Sequence, residues 1–308
     1  MNDKIKRHRE SVTATLIEAL KNGTAPWQKP WNGEWMPCNA LTGRRYNGSN
    51  AIILSCLGEQ RDGGKDPRWL TFNQAKAKGW NIRKGEHGTA ISLWKHLPVE
   101  VKGADGEPVV DKDGKPLMKG LLMERLFVVF HASQVEGIPA YAPETIDEVE
   151  AIEKAERILS DSGADIRHGG FRAFYQPDDD FIQLPEREFF ASTADYYATA
   201  LHELTHWTGH ATRLKRFSLE HYALERPMEE LVAEIGSMFV SAETGIPQTE
   251  AHFQNHAAYV ASWIKELQSD PDALFRAAAD ANKAAEFILK AERAREADNV
   301  EDVEEPAA

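Results

Sequence analysis

The chain has 308 residues, 42% of them hydrophobic, and a formal net charge of −13. That length leaves room for two ordinary domains with cores of their own, and no stretch approaches the roughly 20 consecutive apolar residues needed to span a bilayer. The charge is uneven: residues 1–140 hold 21 Lys and Arg against 15 Asp and Glu (+6), residues 141–308 hold 15 against 34 (−19), so a phosphate-rich ligand is expected at the front and repelled at the rear.

The first residues run into an amphipathic pattern, Val12, Leu16, Ile17 and Leu20, with no apolar signal region or cleavage site. Together with only two cysteines, Cys38 and Cys56, read as ordinary thiols, this predicts a helix in a cytoplasmic protein. Residues 26–50 are rich in Trp, Pro, Asn and Gly and read as an ordered loop surface; helices are expected to begin near Ala51 and Thr71. The runs at 89–97 and 116–131 are β-type and flank Gly- and Asp-rich turns, which predicts a small antiparallel sheet carrying a long insertion. Residues 136–143 form the expected linker. Beyond it, helical periodicity returns from 144 onward (Ile146, Val149, Ile152, Ala155, Ile158, Leu159), 171–184 reads as a short hairpin, and helices are expected at about 193–210, 226–244, 249–268 and 276–294. The acidic stretch 297–308 is expected to be disordered.

Within the 193–210 helix lies His202-Glu203-Leu204-Thr205-His206. Histidines four apart on a helix share a face, so both imidazoles reach one Zn²⁺, and Glu203 is placed to act as general base on a metal-activated water. Thr193 is the expected cap of that helix. A third histidine ten residues after the first would mark one peptidase class, but Thr212 stands there, although Gly209 does occupy that class's glycine position. His210 lies two turns from His202, about 12 Å at 1.5 Å per residue, too far for the same site. The third ligand is therefore sought in Met228-Glu229-Glu230-Leu231-Val232-Ala233-Glu234-Ile235-Gly236. Glu230 is the leading candidate, with Glu234 either as an acid orienting a ligand histidine or as the ligand itself, and Glu229 the remaining alternative. The Glu-x-x-x-Glu-Ile-Gly pattern resembles the second motif of thermolysin-like zinc peptidases. Tyr222 or His221, between the two motifs, could supply the donor for a developing oxyanion. A second pair, His252 and His256, has the spacing but no accompanying acid and is read as packed or surface histidine.

Six of eight tryptophans fall in the first 94 residues, interleaved with Lys29, Arg44, Arg45, Arg68, Lys76, Lys78, Arg83 and Lys84. Aromatic faces for unpaired bases and cations for phosphates are what single-stranded nucleic-acid binders combine, while core packing is the competing explanation for any one Trp. Trp27, Trp31 and Trp35 are the surface candidates.

Pro26-Trp27-x-x-Pro30-Trp31, Pro37-x-Asn39-x-x-Thr42-Gly43-x-x-Tyr46-x-Gly48-x-Asn50, Trp69-x-Thr71-Phe72-x-Gln74-Ala75 and Lys84-Gly85-Glu86 resemble the N-terminal domain of ArdC-type antirestriction proteins. The segment from His202 to His210, with Glu229 to Glu234, is similar to their zincin-like domain. The resemblance implies an α+β protein. A mixed domain at 1–135 with a small antiparallel sheet would bind single-stranded DNA through Trp27, Trp31, Asn39, Arg44, Arg45, Tyr46, Trp69 and Lys84. A mostly helical zincin-like domain with a short hairpin would occupy 144–296. The family protects incoming conjugative plasmid DNA from restriction endonucleases, whose subunits are conceivable partners; Zn²⁺ is the expected metal, with Mn²⁺ as the alternative. No membrane partner is expected, and no pattern fixes an oligomeric state. Two other readings compete: a DNA-binding protein that acts by occupancy around a vestigial or structural metal site, and a stand-alone metallopeptidase whose front domain recognises protein.

Overall fold

The structure, a computed structural model of the chain, describes residues 3–28, 35–103, 106–143, 147–218, 222–247 and 257–304. Helix α1 (Asp3–Lys21) buries Val12, Leu16, Ala19 and Leu20 along one stripe. Helix α2 (Gly48–Asp62) is more deeply sunk, burying an almost continuous run from Ala51 to Cys56. Strands β1 (Cys38–Asn39), β2 (Arg68–Leu70), β4 (Thr89–Glu100) and β5 (Met118–His131) form one sheet in the order β1-β2-β5-β4. The expected antiparallel sheet is thus found with one change: β1 and β2 run parallel. Thr71 and Gln74 close a capping box at the start of α3 (Phe72–Ala77), and β3 (Asn81–Ile82) pairs with β6 (Val135–Glu136).

β4 and β5 stay paired from Thr89↔Val129 to Glu100↔Met118. The root of this ribbon is buried through Ile91 and Val129, whereas Leu93, Trp94, Leu121 and Leu122 farther out are exposed.

The rear half begins with α4 (Glu148–Asp161), started by the Asp147 side chain, which accepts from the Val149 and Glu150 N–H groups. The expected hairpin is present as β8 (Phe174–Gln176) against β9 (Phe181–Leu184), and a strand not foreseen, β7 (Asp165–His168), adds in parallel on the other side of β9. Then come α5 (Thr193–Trp207), α6 (Tyr222–Thr244), α7 (Val260–Ser269) and α8 (Asp272–Glu304). Ser192 rather than Thr193 caps α5: its hydroxyl accepts from the Asp195 N–H. Helix α8 runs to Glu304, past residue 297 where the acidic stretch begins. The architecture is α+β, and no helix among the described residues is long and apolar enough to cross a membrane.

One buried cluster runs through both halves, from Val12, Leu16 and Ile52 at the front to Leu201, Leu231, Leu274 and Leu289 at the rear. Trp27 meets Trp263 of α7 edge to face, 6.3 Å between ring centroids, and Trp69 meets His131 at 4.8 Å. Both Trp27 and Trp69 are only 1% exposed. That corrects their assignment as base-stacking residues: neither has a ring face to offer, because each is the largest apolar group at its place in the core. Trp35 is buried too, and Trp31 lies outside the described residues.

Helices α5 and α6 lie close together at Gly236, where a Cβ would stand 2.6 Å from Thr205 Cγ2. A side chain there forces the helices apart or the Thr205 rotamer to change. Gly236→Ala is expected to lower stability by about 1–3 kcal/mol in urea denaturation, and adding Thr205→Ser, which removes the opposing methyl, is expected to restore much of the loss.

Candidate metal centre

Almost every residue of α5 from Asp195 to Trp207 is buried, so its polar side chains need partners within the protein. Across from it, α6 presents Glu229, Glu230 and Glu234, all buried. His202 and His206 turn their Nε2 atoms toward each other at 3.2 Å. Glu230 Oε2 lies 3.4 Å from the first and 3.5 Å from the second. Two imidazole nitrogens and one carboxylate oxygen thus converge on a single point. Donors held at roughly 2.0–2.1 Å from a tetrahedral ion are about 3.3–3.4 Å apart, so the spacing fits a His₂Glu metal site with a corner left over. Glu230 meets both histidines. Glu203, next to the first histidine, is buried with them.

The outer ring nitrogen of His206 has its own partner. With Nε2 facing the cluster, Nδ1 carries the proton and donates to Glu229 Oε1 at 3.3 Å. Glu229 in turn accepts from Arg216, at 2.6 Å from Nη2 and 3.1 Å from Nε. Burial pushes the Glu229 carboxyl up, but the Arg216 charge and the bond from His206 outweigh it and hold the group below the usual carboxylate value. The orienting role expected of Glu234 is therefore filled, for His206, by Glu229; Glu234 is fully buried one turn beyond Glu230. Arg216 was not foreseen. It is placed by a turn that folds back on α5, with Arg216 N donating to Gly209 O and Leu214 N to Thr208 O. Its guanidinium also reaches the Thr205 carbonyl and the Thr208 hydroxyl, a cation at the helix C-terminus. At Gly209 a Cβ would stand 2.4 Å from Phe217 and 2.8 Å from Arg216, which gives that glycine a local reason. Nothing in the spacing of the chain announces this arginine.

Arg226 donates through Nε to Glu230 Oε1 at 3.0 Å and to the Tyr259 hydroxyl at 3.0 Å, with half its side chain in solvent. Tyr222 opens α6, but its side chain lies outside the described residues, as do His221, His252 and His256. His210 is apart from the cluster, as expected, bonded to Thr212. The turn between β8 and β9 is tied to the segment after α5 by Arg213, which pairs with Asp180 and lies 3.8 Å over the Trp207 ring.

In the front half, Asn39 accepts from the N–H groups of Leu41 and Thr42 and exchanges hydrogen bonds with Gln74. It builds the turn that carries Arg44, Arg45 and Tyr46 rather than presenting itself. Arg44 and Lys84 are exposed, Arg45 and Tyr46 half-buried.

Residues 6–130 match the model for the N-terminal domain of anti-restriction factor ArdC, and residues 153–280 match a zincin-like metallopeptidase domain. The metal-free crystal structure of the antirestriction ArdC protein from R388 plasmid superposes with a TM-score of 0.70 at 33% identity, covering 92% of this chain and 96% of that one. Its Mn(II)-bound form superposes equally at 34% identity. The chain belongs to the ArdC antirestriction family. A protein of Sinorhizobium fredii, uncharacterized protein y4eC, is 33% identical over 288 residues, 91% of this chain and 90% of that protein. Two proteins of Escherichia coli named DNA primase TraC are 48% and 47% identical over 94% of this chain. The chain spans only 20% and 27% of their lengths. The ArdC frame thus accounts for both halves and for the helix pair that carries the donor cluster.

Replacing Arg216 leaves the Glu229 carboxylate buried beside His206 without its cation. Arg216→Gln is expected to cost about 3–5 kcal/mol in chemical denaturation. Combining it with Glu229→Gln should cost less than the two single losses added together, measured as a double-mutant cycle.

Asp180 gives a second, acid-sensitive contact. Burial pushes its carboxyl up, but hydrogen bonds from Arg213 and the Tyr175 hydroxyl pull it below its ordinary value of 3.8. A depressed acid adds stability above its unfolded value, and that contribution is lost as the pH falls through the folded value. Asp180→Asn, which keeps a residue tolerant of the left-handed turn backbone (φ 53°), is expected to cost about 1–2 kcal/mol at pH 7. The gap from the unsubstituted chain should close in denaturation curves taken below pH 3.8.

Proposed function

We propose that this chain is an antirestriction protein whose front half, about 1–135, binds single-stranded DNA while its rear half, about 144–296, holds a divalent metal and hydrolyses peptide bonds. The observation that carries this reading is the meeting of His202, His206 and Glu230 within 3.5 Å of one another beside the buried Glu203. Such a donor set suits Zn²⁺, and the manganese form of the R388 protein supports Mn²⁺ as an alternative occupant.

When bound, a divalent ion supplies Lewis acidity and a water acidic enough to be deprotonated near neutral pH. His202, His206 and Glu230 hold it. Glu203 takes the proton from the attacking water and returns it to the leaving amine. Glu229, anchored by Arg216, keeps the proton of His206 on Nδ1 and so keeps Nε2 directed inward. Arg226, the half-exposed cation touching Glu230, supplies positive charge where the carbonyl oxygen turns negative. The target peptide belongs to the defence that meets incoming DNA, a restriction-enzyme subunit being the simplest candidate.

The front half supports the DNA side through its net positive charge and the exposed Arg44 and Lys84. Two relatives named DNA primase TraC match 94% of the chain within longer proteins, and that name supports a nucleic-acid setting.

Two variants test the rear half. Purified wild type loaded with Zn²⁺ or Mn²⁺ is expected to retain about one equivalent after dialysis and to melt higher than the stripped protein, and His202→Ala should lose both properties. Glu203→Gln should keep metal and melting point while peptidase activity on a generic substrate such as casein falls by at least about 100-fold. Metal content unchanged by His202→Ala would refute the site. A Glu203→Gln protein that still protects transferred DNA fully would separate peptidase action from antirestriction.

A further inference from the structure

An open groove beside the front-half arginines lies where the two halves meet. It has a volume of about 560 Å³, and its walls come from the turn Gly43–Asn47 on one side and from Glu243 of α6 with Asn282 and Arg293 of α8 on the other. That volume is within the range of sites for nucleotide-sized ligands. A second cavity of about 260 Å³ continues on the far side of the same turn, sharing Met36, Gly43 and Arg45 as walls and ending at Arg68 and Tyr141. The Arg68 guanidinium lies 5.2 Å over the Tyr141 ring.

The groove is built rather than incidental. Arg45 donates to Glu243 at 2.8 Å, Arg293 lies 3.6 Å from the same carboxylate, and Arg293 also donates to Glu286 at 2.6 Å. One acid therefore fixes an arginine from each half of the chain, side by side. With Arg44, the cavity holds three guanidinium groups against two carboxylates, and a Tyr46 ring. A guanidinium carries five N–H donors, so one edge can engage a carboxylate while another faces a phosphate. The turn itself is held by Asn39, whose side-chain oxygen accepts from Leu41 and Thr42, and by the Asn39 N–H donating to Arg44 O.

We infer that a single DNA strand lies in this seam, its phosphates on Arg45 and Arg293 and its bases beside Tyr46 and, past the turn, Tyr141, so that the acidic rear half is part of the nucleic-acid site. Alternating cations and aromatic faces suit a flexible strand with unstacked bases; a duplex cannot bend its bases into cavities on both sides of one turn. The inference rests on the proposal that the front half binds single-stranded DNA and adds to it where the strand goes and that α8 takes part.

The test is fluorescence anisotropy with a labelled oligothymidylate across a range of NaCl concentrations, on the full chain. Arg293→Ala is expected to weaken binding by about 3–10-fold at moderate salt and to reduce the slope of log K against log salt by about 0.7, one phosphate contact. Lys290→Ala makes the same charge change on the same helix but faces the cavity between α4 and α8, and should leave both quantities unchanged. Asn282→Lys, adding a cation to the groove, should tighten binding by a few fold. Equal behaviour of Arg293→Ala and Lys290→Ala, or no gain from Asn282→Lys, overturns the seam site while leaving DNA binding elsewhere intact. Absence of salt-sensitive binding by the wild type overturns the single-strand reading as a whole, and the seam with it.

Discussion

The site depends on how closely α5 and α6 can lie. A histidine pair on one helix supplies two donors and cannot supply the third, so the second helix must come near enough for a glutamate side chain to reach between them. Gly236, facing the Thr205 methyl, constrains that separation six residues from Glu230. Thr205 lies between His202 and His206, so the residue that packs against the neighbouring helix and the residues that face the donor cluster alternate along the same turn. Burial of both helices favours partnerships among their polar groups, and Glu229, His206 and Arg216 form a chain rather than three separate solvated groups.

The donor set was legible because its geometry is local. A four-residue spacing fixes a common helix face, and Glu230 was reached from the chemistry of a missing ligand plus an acid-rich helix. The opposite ends of the range are instructive. Arg216 sits ten residues past the second histidine and acquires its place only through a turn whose close contacts at Gly209 depend on Phe217; no period or motif encodes such a fold-back. Strand β7 was missed because four residues reading Asp-Ile-Arg-His carry too little alternation to stand out, and its pairing with β9 is parallel, without a hairpin turn to signal it. The tryptophans misled for a different reason. Composition places aromatic and basic residues in the same segment but does not say which rings face inward, and Trp27 finds its partner, Trp263, more than 200 residues away.

The charge division between the halves is likewise altered by the fold. Many rear-half acids are engaged by rear-half cations: Glu292 by Arg157 and Arg295, Asp161 by Arg295, Glu296 by Lys154. Others reach across, as Asp272 does to Arg9 and Glu243 to Arg45. The excess of negative charge is thus a property of the sum, and the local field at any one groove is set by a few neighbours.

The apolar cluster shared by both halves carries a consequence for inheritance. A piece of the chain ending near residue 140 would expose the faces of α1 and α2 that rest on α7 and α8, and a piece starting there would expose the reverse surface. Recombination that split the segment would leave two sticky fragments, whereas transplanting it whole leaves the interior undisturbed. Its relatives carry it in that undivided form, as nearly the entire protein in one bacterium and as a fraction of a much longer polypeptide in another, so the portable unit is set by where the interior closes.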